Sequence, residues 1–321
     1  MKINCKDKQL SKSKLRNLQS AEASFWDSIV ELRTKKSHIP MEADIRRATK
    51  FIPNKSEKLP LIDPELTAIL DGGVRESYLK MLSKKPGGRV LDVCCGAGWL
   101  SLELARRGQI VDAYDLSPKA IALAKKTLRE NTFKKGFGKI NYYVGDISKI
   151  NLGVAKYDAV TGWAAFHHLP DPEIFLEKVN LALKPKGIVG TYDDLHMGKL
   201  EKFLELTFRF LLPQIHHSYK DKLSFLINLI LLKKSLPKEK FSPMEEAKHS
   251  SVEDITEIFN KKFNVIWMVQ RNAFVGSVLS TMSGSDKFRY RIARPLVYLD
   301  KFLCYLGLVR GFDQIIVAKK K

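Results

Sequence analysis

Between Arg89 and Leu195 the chain alternates short, almost wholly apolar segments with amphipathic ones, and this alternation constrains the fold more than any other feature. Strands that are apolar throughout are buried on both faces, so the pattern calls for a parallel sheet with helices on each side. "RVLDVC" reads as the first strand and "WLSLELARRG" as an amphipathic helix with a glycine stop. "QIVDAYDL" is the second strand; Ser117 stands as cap of the next helix and Pro118 at its first position. "KINYYVGDI", "YDAVTGW" and "GIVGTYDDL" supply three further strands, with the helix "DPEIFLEKVNLAL" and the turn "KPKG" before the last.

Beyond Leu195 the alternation stops. Lys199 to Leu232 reads as one long apolar helical stretch, followed by a loop, the helix "SVEDITEIFNKKF" and the strand "NVIWMVQR". A second helical stretch, about 274–309, precedes a closing strand in "GFDQIIVAKKK". The expected fold is α/β: a Rossmann-like, doubly wound, mainly parallel seven-stranded sheet with a helical N-terminal segment and two helical insertions. The expected division is a helical lid over 1–85, a cofactor-binding core over 86–198, an acceptor-covering insertion over 199–250, and the end of the core over 251–321.

The turn after the first strand carries the chemistry. A dinucleotide loop has the form G-x-G-x-x-G or A, and here Gly96 and Gly98 are followed by Ser101 at the third position. Asp92 ends the strand just ahead of these glycines. A carboxylate there would repel a pyrophosphate held on the helix N-terminus, yet it suits a ligand carrying an ammonium and a sulfonium. Asp115 ends the second strand, some twenty residues on, where a carboxylate can accept both ribose hydroxyls. Asp146 follows the third strand in "GDI", placed to accept from an adenine amino group while Ile147 covers the ring. Acidic groups at successive strand tips fall where such sheets bind ligands.

This set resembles the class I S-adenosylmethionine-dependent methyltransferases, over Arg89 to Leu195 and the closing strands, about half of the chain. "VLDVCCGAG" is similar to the family's first motif, "VDAYDLSPKAIALAKK" to its second, "GDI" to its third and "YDAVTGWAAFHHLPDPEIFLEKVNLALKPKG" to its fourth-strand region. Cys94 and Lys186 stand where the family often has glycine. The resemblance implies S-adenosylmethionine as cofactor, held by Asp92, Cys94, Gly96, Gly98, Asp115, Leu116, Asp146, Ile147 and Trp163.

An activated methyl group needs mainly positioning, but a hydroxyl acceptor must also lose its proton. His167 and His168, after the fourth strand in "GWAAFHHLPD", are the candidate bases, since histidine titrates near neutrality. Asp193, Asp194 and His196 in "TYDDLHMG" are candidates to orient an acceptor. Cys94 and Cys95 read as small loop residues rather than nucleophiles, and no metal-ligand spacing occurs.

The formal net charge of +20, from 55 basic and 35 acidic residues, suits an anionic partner or simple solubility. The apolar stretch after Lys199, flanked by Lys199, Lys202, Lys220, Lys222, Lys233 and Lys234, would suit a lipid tail and anionic headgroups. Its apolar run from Leu223 to Leu232 is too short to span a bilayer. The basic N-terminus lacks the apolar core of a signal peptide, and four cysteines, two adjacent and two remote, fit a reducing cytoplasm. The expected function is transfer of a methyl group to an oxygen of a small-molecule, lipid-linked or glycan acceptor, with possible peripheral contact to an anionic membrane. An RNA methyltransferase and a non-catalytic cofactor-fold binding protein stand as alternatives.

Overall fold

Seven strands form one sheet in the computed structural model, which describes residues 12–35, 64–71, 73–130, 136–195, 197–215, 218–231, 242–244 and 252–321. Cys5, His196, Lys233 and Lys234 lie outside the described residues. The order of elements is α1 (Lys12–Lys35), α2 (Pro64–Asp71), α3 (Val74–Leu82), β1 (Arg89–Val93), α4 (Trp99–Arg106), β2 (Ile110–Asp115), α5 (Pro118–Glu130), β3 (Lys139–Val144) and β4 (Tyr157–Trp163). A 3₁₀ turn (Phe166–His168), α6 (Pro172–Ala182), β5 (Leu183–Asp194), α7 (Lys199–Leu211), α8 (Tyr219–Leu231), α9 (Val252–Lys262), β6 (Phe263–Arg271), α10 (Val275–Ser280), α11 (Asp286–Tyr305) and β7 (Asp313–Lys320) complete the chain.

The strand order is β3-β2-β1-β4-β5-β7-β6. β1 pairs in parallel with β2 and β4, β2 with β3, and β4 with β5; β7 runs antiparallel to both β5 and β6. The chain order reverses at β1, with β2 on one side and β4 on the other. That is a topological switch point, and the crevice outside the carboxyl ends of these strands is where such sheets take ligands.

Both faces of the sheet are covered, as the apolar strands require. Val160, Val189, Phe175, Leu176 and Phe259 belong to the core of one face, and Val90, Leu100, Leu104, Tyr78 and Ile188 to that of the other. Helix starts follow local chemistry: Ser117 Oγ accepts from Ala120 N–H at 3.0 Å at the head of α5, and Asp171 accepts from Ile174 N–H at 2.9 Å at the head of α6.

The stretch after Lys199 is not one helix. α7 ends at Leu211 and α8 begins at Tyr219, with Pro213 between them, which has no N–H to continue the ladder. The second helical stretch likewise divides into α10 and α11. The two insertions also pack as one body. Leu66 of α2, Phe274, Val278 and Met282 around α10, and Leu296 of α11 form a third core, with Leu204 and Phe208 of α7 against it.

Lys186, at a position where the family this sequence resembles often has glycine, has φ +63°. A side chain in the left-handed region costs about 1 kcal/mol or more, while glycine adds back part of that as chain entropy. Lys186→Gly is therefore expected to leave stability unchanged or raise it by up to about 1 kcal/mol, read as the midpoint of urea unfolding. A clear loss of stability would show that the lysine contributes more than it strains.

Candidate active site

β1 delivers the chain into a tight turn in which Cys94 (φ +53°), Gly96 (φ +53°) and Gly98 (φ +80°) all take left-handed backbone. At Gly98 only glycine fits, since a Cβ would lie 2.4 Å from Tyr142 Oη and 2.9 Å from Ala124 Cβ. Cys94 holds its conformation without that freedom, at a cost of about 1 kcal/mol. Both Cys94 and Cys95 are packed in the loop, and burial, helped by the nearby Asp115 charge, pushes their thiols well above the ordinary value. A thiol kept protonated is a poor nucleophile.

The acidic strand tips converge on one pocket at the switch point. It is lined by Asp92, Gly96, Asp115, Asp146, Ile147 and Trp163, with Cys94, Leu116 and His168 also on its walls. Gly98 sits at the head of α4, behind the lining. Asp115 Oδ2 accepts from Gly96 N–H and Oδ1 from Ser117 N–H, each at 2.8 Å. A carboxylate retains further lone pairs after two such bonds. Asp146 Oδ1 accepts from Ser148 N–H at 3.0 Å and from its hydroxyl at 2.6 Å.

Asp92 differs from the other two. Its side chain is 1% exposed; Oδ2 accepts from Ser101 Oγ–H at 2.5 Å, while Oδ1 is buried with no hydrogen-bond partner. Burial above all, with the Asp115 charge adding and the Ser101 hydroxyl opposing, pushes the carboxyl up to about 7. An orphaned buried carboxylate oxygen in a pocket suits a cationic ligand, and a primary ammonium would satisfy it.

The two candidate histidines go to different places. His167 is buried, its Nδ1 2.7 Å from Asp193 Oδ1, and it is not among the pocket-lining residues. Asp193 is itself 1% exposed and also accepts from the Thr191 hydroxyl, so it is tied into the sheet; Asp194 is exposed. His168 lines the pocket, with Nδ1 3.2 Å from Glu22 Oε1 and 3.3 Å from Ser242 Oγ. Glu22 is 4% exposed and accepts from the Trp26 indole N–H at 2.8 Å and from Met244 N–H at 2.9 Å. Burial pushes its carboxyl up, but the hydrogen bonds from His168, Met244 and Trp26 outweigh this and hold it below the ordinary value. An ionised Glu22 can only accept, which places a proton on His168 Nδ1.

Helix α1 thus supplies residues that sequence reasoning did not name. Gln19 Nε2 donates to Asp146 Oδ2 at 2.6 Å, Asp27 accepts from the Ser117 hydroxyl, and the Trp26 ring meets His168 edge-on at 5.3 Å. The one signal in "AEASFWDSIVELRTKK" is a Trp among several carboxylates, which a solvated helix would equally carry.

Trp163 stacks on Tyr192, centroids 3.7 Å apart and planes 5° apart, and meets Trp99 edge-on at 4.6 Å. Tyr192 faces a second pocket on the same rim, lined by Asp71, Arg75, Arg271, Asn272 and Asp313 among others. Lys222 is not a surface cation: its Nζ donates to the Phe210 and Leu212 carbonyls, at 3.3 and 2.5 Å. Burial, with Arg209 adding, lowers its pKa.

Residues 90–187 match the model of the methyltransferase domain. A ubiquinone biosynthesis O-methyltransferase of Coxiella burnetii is 32% identical over 133 residues, 41% of this chain and 51% of that protein. The protein of the same name from Xanthomonas axonopodis pv. citri is 35% identical over 115 residues, 36% of this chain and 46% of its own. The chain spans about half the length of these curated relatives. Among solved structures, that of the [4+2]-cyclase SpnF covers 93% of this chain and 94% of its own, at 14% identity and a TM-score of 0.51, a likeness of fold. Residues 90–187 thus carry a methyltransferase domain, set within the seven-stranded order described above.

Proposed function

We propose that this protein is an O-methyltransferase acting on a small molecule, with His168 as the base. The observation that carries the reading is the pairing of a pocket-lining His168 with the buried carboxylate of Glu22. When bound, S-adenosylmethionine would supply the activated methyl group, held by Asp92, Asp115 and Asp146, with Leu116, Ile147 and Trp163 as apolar walls. Asp92 Oδ1 receives the ligand's ammonium. His168 Nε2 takes the proton of an acceptor hydroxyl, and Glu22 fixes the tautomer and steadies the charge that develops on the ring. Gln19 and Trp26 close the pocket against water. The name of the relatives supports oxygen as the atom methylated.

The proposal extends to a lipid-linked acceptor. Leu200, Phe203, Phe210 and Leu211 are exposed along one side of α7, next to Lys199 and Lys202. Apolar side chains beside lysines fit the boundary of an anionic bilayer, and no described helix is long and apolar enough to cross one. A reducing compartment such as the cytoplasm suits the free thiols of Cys94, Cys95 and Cys304.

The test is methyl-labelled cofactor incubated with the whole chain and separate lipid, glycan and RNA fractions. Label in a lipid or other small-molecule fraction, lost in His168→Ala and reduced in Glu22→Gln, is the expected result. Label in RNA alone would overturn the reading, and tight cofactor binding with label nowhere would favour a binding protein.

Cofactor affinity should also depend on pH. The free Asp92 carboxyl, at about 7, must be ionised to hold an ammonium. Binding therefore releases a proton below pH 7, and affinity falls as pH drops, by at most about tenfold per unit. Calorimetry with S-adenosylhomocysteine, which retains the ammonium, is expected to give weaker binding at pH 6 than at pH 8. Equal affinity across that range would remove Asp92 from the role.

A further inference from the structure

The second pocket holds a cation whose hydrogen-bonding capacity is largely unspent. Its two arginines have different circumstances. Arg271 is 5% exposed: Nη1 donates to the Leu70 and Asp71 carbonyls at 3.2 and 2.8 Å and Nη2 lies 3.3 Å from Asp71 Oδ1, while Nε, 3.6 Å from Asp313 Oδ2, makes no hydrogen bond. Arg75, at the head of α3, has only a long approach of Nε to the same Asp71 oxygen, at 3.9 Å. Asp71 is already engaged by Arg271 and by the Arg75 amide, which donates to both its oxygens at 3.2 Å. Arg75 Nε is buried with no hydrogen-bond partner, and its terminal nitrogens make no hydrogen bond among the described residues.

The guanidinium lies against two indoles, 5.0 Å from the Trp99 centroid and 5.6 Å from that of Trp163. Both rings also line the cofactor pocket. Arg75 therefore stands where the two pockets meet, beside the stacked Trp163 and Tyr192. These cation–π contacts hold the guanidinium beside the indoles and leave its terminal nitrogens for a planar or tetrahedral anion. The rest of the pocket includes Leu70, Met197, Phe274 and Phe312, an apolar wall for a ring or chain.

We infer that this second pocket is the acceptor site and that it selects an acceptor bearing a carboxylate or phosphate, bound by Arg75. The inference rests on the methyl-transfer reading above for the word acceptor; the anion site itself does not. Asp71 and Asp313 serve Arg271, so Arg75 is the group that gains a partner when an anion enters. The apolar wall selects an amphipathic acid over a free ion.

The experiment is a titration of the full chain, saturated with S-adenosylhomocysteine, followed by tryptophan fluorescence, since Trp99 and Trp163 lie under the guanidinium. The probes are benzoate, its neutral isostere benzamide, and inorganic phosphate. Benzoate is expected to saturate with a dissociation constant at least about tenfold below that of benzamide, the effect of a charge-assisted hydrogen bond. Arg75→Gln should abolish the difference, and Arg75→Lys, which keeps the charge without the fork, should retain part of it. Phosphate displacing benzoate at lower concentration would assign a phosphorylated acceptor; benzoate prevailing would assign a carboxylate. Equal affinity for benzoate and benzamide, no saturation by either anion, or benzoate binding unchanged in both variants would overturn the inference. Calorimetry of S-adenosylhomocysteine on the same samples separates the readings: its failure to bind the wild-type chain sinks the methyl-transfer reading, while the anion titration still reports on Arg75.

Discussion

Replacing His168 with alanine is expected to lower methyl transfer by about 10²–10⁴-fold, the contribution of a positioned general base, with cofactor affinity almost unchanged. His168 reaches the pocket as the last residue of the short 3₁₀ turn after β4, and its ring is held from one side by Glu22 and from another by the edge of Trp26. Glu22→Gln keeps the shape and a hydrogen-bonding group but removes the charge, so a smaller loss of about tenfold is expected. The control is His167→Ala. His167 is bound to the buried Asp193, which would be left with the Thr191 hydroxyl in place of two partners. That variant should lose stability rather than the chemical step. Single-turnover transfer of labelled methyl, beside unfolding midpoints for each variant, separates the effects. A His168→Ala protein that transfers at the wild-type rate would remove the base from the mechanism, and a rate collapse in His167→Ala with stability intact would exchange the two histidines.

The second large effect concerns stability. Asp300→Ala is expected to destabilise the fold by about 3–5 kcal/mol, since each buried backbone donor left without a partner costs about 1–3 kcal/mol. Asp300 is 1% exposed, and its oxygens accept from the N–H groups of Ala273, Phe274 and Val275 at 3.1, 3.0 and 3.3 Å. Burial pushes its carboxyl up while these donors pull it down, and burial prevails. The carboxylate pins α11 to the end of β6, and so fixes Ala273 and Phe274 in the wall of the second pocket. Asp300→Asn keeps one carbonyl oxygen and should lose less. Urea unfolding measures both; an alanine variant within about 1 kcal/mol of wild type would mean that water or neighbouring groups satisfy those amides.

These two residues mark what the sequence made legible. The strands, the glycine turn and the three acidic tips were readable because each is a local pattern: an apolar run, a pair of glycines, an Asp at a strand end. His168 was readable for the same reason, as a titratable residue shortly after a strand. Glu22 was not, because it lies far from His168 along the chain and its own segment reads as an amphipathic helix. Asp300 sits in "VYLDKFL", where it passes for a residue of a solvated face. Arg75 in α3 and Arg271 at the end of β6 come together although everything from β1 to α9 lies between them, and nothing in "GGVRESYL" or "WMVQRNAF" marks either as half of a pocket. Pro213 marks the break between α7 and α8 locally, but the apolar character continues on both sides of it and masks the boundary. What escaped was pairing between distant segments, which no local periodicity encodes.

The placement of α1 has a kinetic consequence. By touching Asp146, His168 and Ser117 together, the helix packs along one side of the pocket at the switch point. On the methyl-transfer reading proposed above, a spent nucleoside product would leave past it only once those contacts open. Turnover would then be paced by opening rather than by bond exchange, and the hydrogen bonds that organise the base would also be a latch broken once in every cycle.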